Sequence, residues 1–279
     1  MRKSGHAIRF LMMSFLFLGL CNGLQAQQTG NDAKPYQPEV GQYGKDVVWV
    51  PTPQSLVDKM LDMAKVTSDD FVMDLGSGDG RIVITAAKRG ARAVGIEYNP
   101  DMVELSRGNA AKAGVSDKAT FMKADLFETD LSRASVITMF LLPDINMRLR
   151  PKLLEMKPGT RIVSDTFSMG DWASDQSATV DVCSGWCTAL LWIVPAKVAG
   201  KWTMSGGELN LGQEFQVLGG ILTLNGKTVT ISSAKMRGDQ ITFTAGDALY
   251  TGRVNGNAMQ GTSQANGKSV TWSAQRAPN

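Results

Sequence analysis

Histidine is almost missing from this 279-residue chain: His6 is the single one. It lies in an N-terminal segment that reads as removable, so the working chain is expected to carry none. That excludes a Ser-His-Asp triad, a Cys-His pair, a histidine general base and histidine metal ligands. Cysteine is scarce as well. Of the three, Cys21 falls in the same segment, and Cys183 with Cys187 are too few for a cysteine-only zinc site, so no metal is expected. An excess of one charge is also lacking. With 29 Lys and Arg against 26 Asp and Glu, the net charge is only +3. No dense basic run interrupts the body of the chain, so no nucleic-acid partner is expected. The apolar stretch Phe10 to Leu20 is short of the roughly 20 residues that span a bilayer, so no stable membrane span is expected in the mature chain.

Arg2, Lys3 and Arg9 precede that apolar stretch, and Leu24-Gln25-Ala26 supplies a small residue after it. This order is that of a secretory signal peptide over residues 1–26, which makes the protein an exported one, periplasmic or secreted. Residues 27–45 are polar, with Gly, Pro and Gln, and read as a linker or an extended arm. A main domain is expected over 46–197 and a β-rich domain over 198–279.

What is present is concentrated between Phe71 and Arg81, F-V-M-D-L-G-S-G-D-G-R. Phe71 to Met73 suit a buried parallel strand, and Arg81 to Lys88 continue as a helix. Between them Gly76, Gly78 and Gly80 alternate behind Asp74, in a turn where backbone can approach a ligand closely. A dinucleotide fingerprint, G-x-G-x-x-G, needs its third glycine at position 81, where this chain has arginine. A nicotinamide oxidoreductase is thereby excluded. Strand patterns recur at Ala93–Glu97, Thr120–Met122, Val136–Phe140 and Arg161–Ser164. Helical patterns alternate with them at Arg81–Arg89, Pro100–Ala113 and Asp144–Met156. Thr52-Pro53 and Asn99-Pro100 read as helix starts with proline at the first position. The expectation is an α/β, doubly wound, Rossmann-like sheet.

The glycine turn with Asp74 resembles the first motif of class I S-adenosylmethionine-dependent methyltransferases. Glu97 closes the next strand, 21 residues after Gly76, and a carboxylate there can accept bonds from both ribose hydroxyls. Asp125 follows the strand after that. The stretches V-P-T-P-Q-S-L-V-D-K-M-L, D-L-G-S-G-D-G-R-I-V-I-T-A-A-K, F-L-L-P-D-I-N and M-G-D-W narrow the resemblance. They are similar to the group related to the ATP synthase c-subunit lysine methyltransferase and its bacterial relatives. By that resemblance the cofactor is S-adenosyl-L-methionine. Asp74, Gly76, Gly78 and Gly80 would contact its methionine part, Glu97 the ribose and Asp125 the adenine amino group, with Thr52 near its mouth. The acceptor would be a nucleophile, with a protein lysine amine as first choice. Phe140, Leu142 and Pro143 occupy the position after the fourth strand where substrate residues fall. Asp144 is the candidate for removing the acceptor's proton. A non-catalytic exported binding protein that works through its β-domain is the competing class.

Two further expectations concern the end of the sheet and the tail. Runs flanking Ser184-Gly185-Trp186 suit a hairpin, which would set Cys183 opposite Cys187 within disulfide range and add an antiparallel edge. Trp172, Trp186 and Trp192 read as packing residues. After Pro195, turn signals at Asn225-Gly226, Gly238-Asp239, Gly246-Asp247, Asn255-Gly256 and Asn266-Gly267 separate short alternating runs. They point to a small antiparallel all-β domain, a sandwich or a barrel.

Overall fold

Apolar runs bounded by glycine turns and proline-started helices build the first half of the molecule. It is seen in a computed structural model that describes residues 36–278 apart from Val182 and Ser184. The expected signal segment, with His6 and Cys21, lies outside the described residues, as does the first part of the expected linker. In chain order the elements are α1 (Gln54–Met63), β1 (Phe71–Leu75), α2 (Arg81–Lys88), β2 (Arg92–Glu97), α3 (Pro100–Lys112) and β3 (Ala119–Lys123). They continue with β4 (Val136–Met139), α4 (Pro143–Leu154), β5 (Arg161–Asp165), β6 (Gln176–Thr179) and β7 (Thr188–Ile193).

These strands form one seven-stranded sheet in the order β3-β2-β1-β4-β5-β7-β6. The first five are parallel, and β7 runs antiparallel to both β5 and β6. Side chains alternate across β1, which gives each face its own core. Val72 packs with Leu56, Met60, Val83 and Ala87 of the helices on one face. Met73 and Leu75 pack with Ile137, Met139, Leu149, Trp172 and Trp192 on the other. Strand order reverses between β1 and β4, and ligands of open α/β sheets bind at the carboxyl ends of strands at such a switch. The glycine turn leaves β1 at that point.

Local chemistry explains the helix starts, with one exception. Asn99 caps α3 by accepting from the Asp101 N–H at 2.9 Å, with Pro100 at the first position. Thr52 does not cap α1. Pro53 takes the cap position without a side-chain bond, because the Thr52 hydroxyl donates to Asp165 Oδ2 at 3.0 Å instead.

The hairpin closes the sheet, but its ladder ends at Thr179 and Thr188, so the cysteines stand in the loop and are not cross-strand partners. Cys187 accepts from the Val180 N–H, and Cys183 lies further round the turn. The two are bridged, with Cα atoms 5.8 Å apart.

Eight further strands follow: β8 (Gly200–Met204), β9 (Gly207–Glu214), β10 (Val217–Leu224), β11 (Lys227–Arg237), β12 (Gln240–Ala245), β13 (Ala248–Asn255), β14 (Ala258–Ala265) and β15 (Lys268–Arg276). Each pairs antiparallel with the next, and β15 pairs with β8 to close a barrel. Aromatic side chains fill the interior, as a small barrel requires. Phe243 stacks on Tyr250 at 4.6 Å between ring centroids, and Trp272 sets its edge against both. One turn of the barrel docks on the sheet. Phe215 stacks on Trp172 at 5.9 Å, and Gln216 Nε2 donates to the Ala173 carbonyl at 2.7 Å.

Candidate functional site

A cavity opens at the carboxyl edge of the parallel strands, where β1 and β4 diverge. Its wall takes in Asp74, Gly76, Ser77 and Gly78 from the turn after β1, Glu97 from the end of β2 and Asp125 from the turn after β3. Phe140, Leu141 and Leu142 enter after β4, and Thr52 enters ahead of α1. Most of the residues singled out in the sequence thus converge, although they span more than 80 positions.

The turn after β1 supplies space, because most of its N–H groups are already committed. The Gly76 and Ser77 N–H groups donate to the Ile96 carbonyl, and the Gly80 N–H donates to the Ser77 carbonyl. The Gly78 N–H donates to Glu97 Oε2 at 3.0 Å, and the Arg81 N–H to Asp79 Oδ1 at 3.2 Å. Gly76 and Gly78 have φ of +77° and +53°, a region costly for a residue with a Cβ. A phosphate-binding turn needs free N–H groups and a positive field. Here Asp74, Asp79 and Glu97 surround the turn instead. The arrangement suits an uncharged or cationic group pressed against backbone.

Asp74 sharpens that inference. It is buried, Thr138 Oγ1 donates to its Oδ1 at 2.7 Å, and the charges beside it are the acidic Glu97 and Asp79. Burial, with those neighbours, pushes its carboxyl up to about 7. A ligand cation at the cavity wall is the natural complement. In the ligand-free chain the raised folded-state value means that the folded state holds more protons than the unfolded one between about pH 4 and 7. The contribution of Asp74 to stability is therefore full in acid and is lost as pH rises through that window. Asp74→Asn, which keeps an acceptor for Thr138, is expected to flatten the decline by on the order of 2 kcal/mol. Urea unfolding at pH 5 and pH 8 measures this, and an unaltered pH dependence would refute it.

Glu97 is held for a bidentate task. Its Oε1 accepts from the Asn99 N–H at 2.9 Å while Oε2 accepts from Gly78, which fixes the carboxylate plane beside the turn. Asp125 is engaged as well. Phe127 N–H donates to its Oδ1 at 2.8 Å, and Lys45 Nζ reaches Oδ2 at 2.6 Å, which holds the carboxyl below the usual range. Lys45 also lies over the Tyr98 ring at 4.7 Å. Residue 45, expected in a linker, therefore belongs to the wall of the cavity.

Three expected site residues are placed elsewhere. Gly80 does not line the cavity: a Cβ there would meet Phe121 at 2.7 Å and Ser106 at 3.0 Å, so it serves the packing of α2 on β3 and α3. Pro143 and Asp144 open α4 on the solvent side, exposed and off the cavity wall, because the chain turns outward after Leu142. Asp144 is thus not placed to take a proton from a group in the cavity.

Other residues were missed. Asp165, at the end of β5, is fully buried and accepts from the hydroxyls of Thr52 and Thr166, each at 3.0 Å. Burial pushes its carboxyl up to about 6, against the pull of those two bonds. The available signal was an acidic residue ending a strand, the same one that marked Glu97. Trp49, on the segment before α1, covers the turn, with Nε1 2.7 Å from where a Cβ at Gly78 would stand. Trp186, expected to be a packing residue, is 47% exposed and lines the cavity, whereas Trp172 and Trp192 are fully buried. It meets Phe140 edge-on at 5.9 Å, and Phe140 stacks on Phe167 at 6.0 Å.

Known proteins supply the comparison for this geometry. Residues 74–176 match the ANTKMT methyltransferase domain. A protein-lysine N-methyltransferase of Saccharolobus islandicus is 49% identical over 133 residues, which cover 47% of this chain and 83% of that protein. The mouse lysine N-methyltransferase of the ATP synthase C-subunit is 36% identical over 139 residues, and the match covers 50% of this chain and 56% of the mouse protein. Among solved structures, an RNA methyltransferase from Salinibacter ruber in complex with S-adenosyl-L-homocysteine is 48% identical. That match covers 53% of this chain and 96% of that one, at a TM-score of 0.51. A turn built for a non-phosphate ligand, a strand-end carboxylate beside it and these relatives agree: the chain belongs to the S-adenosylmethionine-dependent methyltransferases of this lysine N-methyltransferase family.

Proposed function

We propose that the enzyme methylates an amine, a protein lysine in the first instance, and that the converging residues divide the work as follows. The observation that carries the reading is the glycine turn with the amides of Gly76, Ser77, Gly78 and Gly80 already bonded and carboxylates on its flanks, which favours a cationic nucleoside over a phosphate. Gly76 and Gly78 would let the methionine part lie against backbone, with Asp74 facing its amino group. Glu97 would accept from the two ribose hydroxyls. Asp125 would receive the adenine amino group once Lys45 yields that oxygen. When bound, S-adenosyl-L-methionine supplies an electrophilic methyl group on a sulfonium centre, and alignment of the acceptor accounts for much of the rate.

An ammonium acceptor must lose a proton, which passes to water at the open mouth of the cavity, before the free amine can attack. Thr52 lines the cavity and gives its hydroxyl hydrogen to Asp165, so its oxygen lone pairs are left to accept from the acceptor N–H. Asp165 thereby acts as a positioning residue, a role distinct from the proton removal expected of Asp144. The acidic wall of Asp46, Asp79, Glu97 and Asp125 favours a cationic acceptor and disfavours a polyanion such as RNA. We also propose export, supported by the N-terminal charge and hydropathy order and by a disulfide that suits an oxidising compartment.

The test is methyl transfer from labelled cofactor to a lysine-rich protein, with methyllysine identified after hydrolysis. Glu97→Gln is expected to weaken S-adenosylhomocysteine binding about tenfold, as the loss of one charge-assisted bond would. Label found in RNA and absent from lysine would overturn the acceptor assignment.

A further inference from the structure

The cavity has one wall that the cofactor residues do not use. The β5–β7 register sets Asp165 opposite Ala189, so the tip of the β6–β7 hairpin comes to the same edge of the sheet as the cavity. Trp186 stands on that tip, half exposed, and still lines the cavity. Its indole meets the Phe140 ring, which in turn stacks on Phe167. No hydrophobic core holds a tryptophan so exposed. The bridge between Cys183 and Cys187, four positions apart, closes the loop on either side of Gly185 and Trp186. Five carboxylates, Asp46, Asp74, Asp79, Glu97 and Asp125, share the cavity with two cations. Both cations are engaged, Lys45 by Asp125 and Arg81 by Asp79. Aromatic faces within an acidic enclosure attract an organic cation.

We propose that Phe140, Phe167 and Trp186 form the acceptor subsite, which binds an alkylammonium head, and that the Cys183–Cys187 bridge sets its affinity by holding Trp186 in place. The proposal rests on the amine-methylating reading above and adds the subsite and its dependence on the bridge. Reduction to two thiols frees the loop, and Trp186 no longer faces Phe140. The cofactor side, built on β1 and β2, is untouched.

The test uses the full chain and two probes, n-butyltrimethylammonium for the subsite and S-adenosylhomocysteine for the cofactor side, both read by calorimetry. Trp186→Ala and the Cys183→Ser, Cys187→Ser double variant should each weaken the ammonium probe about fivefold or more. Dithiothreitol should do the same to the unmodified chain, and Trp186→Phe should restore most of the affinity. S-adenosylhomocysteine should bind alike in all of them. Ammonium affinity indifferent to Trp186 and to the bridge would overturn the proposal, and so would a parallel loss on the cofactor side. Methyllysine formation with a Trp186-independent probe would sink the subsite and leave the function standing. A Trp186-dependent probe without any amine methylation would do the reverse.

Discussion

Gly78→Val is expected to weaken S-adenosylhomocysteine binding by at least about 100-fold while the chain stays folded. The left-handed backbone at this position costs a β-branched residue roughly 1–2 kcal/mol. A Cβ would also stand 2.7 Å from Trp49 Nε1 and 3.1 Å from its Cδ1. The chain can escape only by displacing Trp49 or by shifting the turn, and a shifted turn takes the Gly78 N–H away from Glu97. That bond is to a charged acceptor, and bonds of this kind contribute about 1.5–3 kcal/mol. A ligand that fits only the original turn must restore it against the strain and the Trp49 contact, and that cost is expected to reach the 100-fold mark, about 2.7 kcal/mol. Calorimetry gives the affinity and circular dichroism the fold. Adding Trp49→Ala to the variant removes the obstruction and leaves the backbone strain, so it should return about tenfold of the lost affinity. Binding within threefold of the unmodified chain would show that the turn does not touch the ligand.

The second large effect belongs to the barrel. Along one inward row, Gly252 pairs with Gly261 and Gly261 with Trp272. A Cβ at Gly261 would fall 1.9 Å from the Thr251 carbonyl oxygen and 2.5 Å from the Gly252 Cα. The obstacles are backbone, so no change of rotamer relieves them. Gly261→Val must part β13 from β14 and expose the ring cluster of Phe243, Tyr250 and Trp272. Overpacking of this severity is expected to cost more than about 3 kcal/mol, enough to remove the cooperative barrel transition from a denaturant curve. Gly219→Ala is the matched control, since a Cβ there meets nothing within 4 Å, and it should cost under about 1 kcal/mol. Equal unfolding midpoints for the two variants would refute the account.

How far these features could be read without coordinates depended on the range of the interactions that create them. The turn after β1 and Glu97 were legible because strand, glycine spacing and strand end all lie within 27 residues of one another. Thr52 is placed near the cofactor's mouth by resemblance, whereas the local reading of it as a helix cap does not hold, because its hydroxyl serves Asp165, 113 positions away. Asp165 itself lies one residue beyond the apolar strand pattern, which stops at Ser164. Gly80 followed the motif by spacing alone, yet its crowding comes from Phe121 and Ser106 on other elements. In the barrel, five turns announced themselves by Asn-Gly or Gly-Asp pairs. The turn at Phe215 did not, because an aromatic residue at φ +52° is paid for by stacking on Trp172 rather than by turn chemistry. Closure of the barrel by β15 and β8 joins positions some 70 residues apart and leaves no local trace.

That same stack at Phe215 bears on how the chain could be divided. Trp172 is fully buried, and part of its cover comes from the barrel side. The short passage from Ile193 to Gly200 invites a cut there, as though two modules had been threaded on a string. A catalytic half released at that point would present an indole face to water, and with it an adhesive spot beside its own helix α4. The barrel therefore doubles as a lid on the core of the methyltransferase half, completing at Phe215 the cover that keeps Trp172 from water.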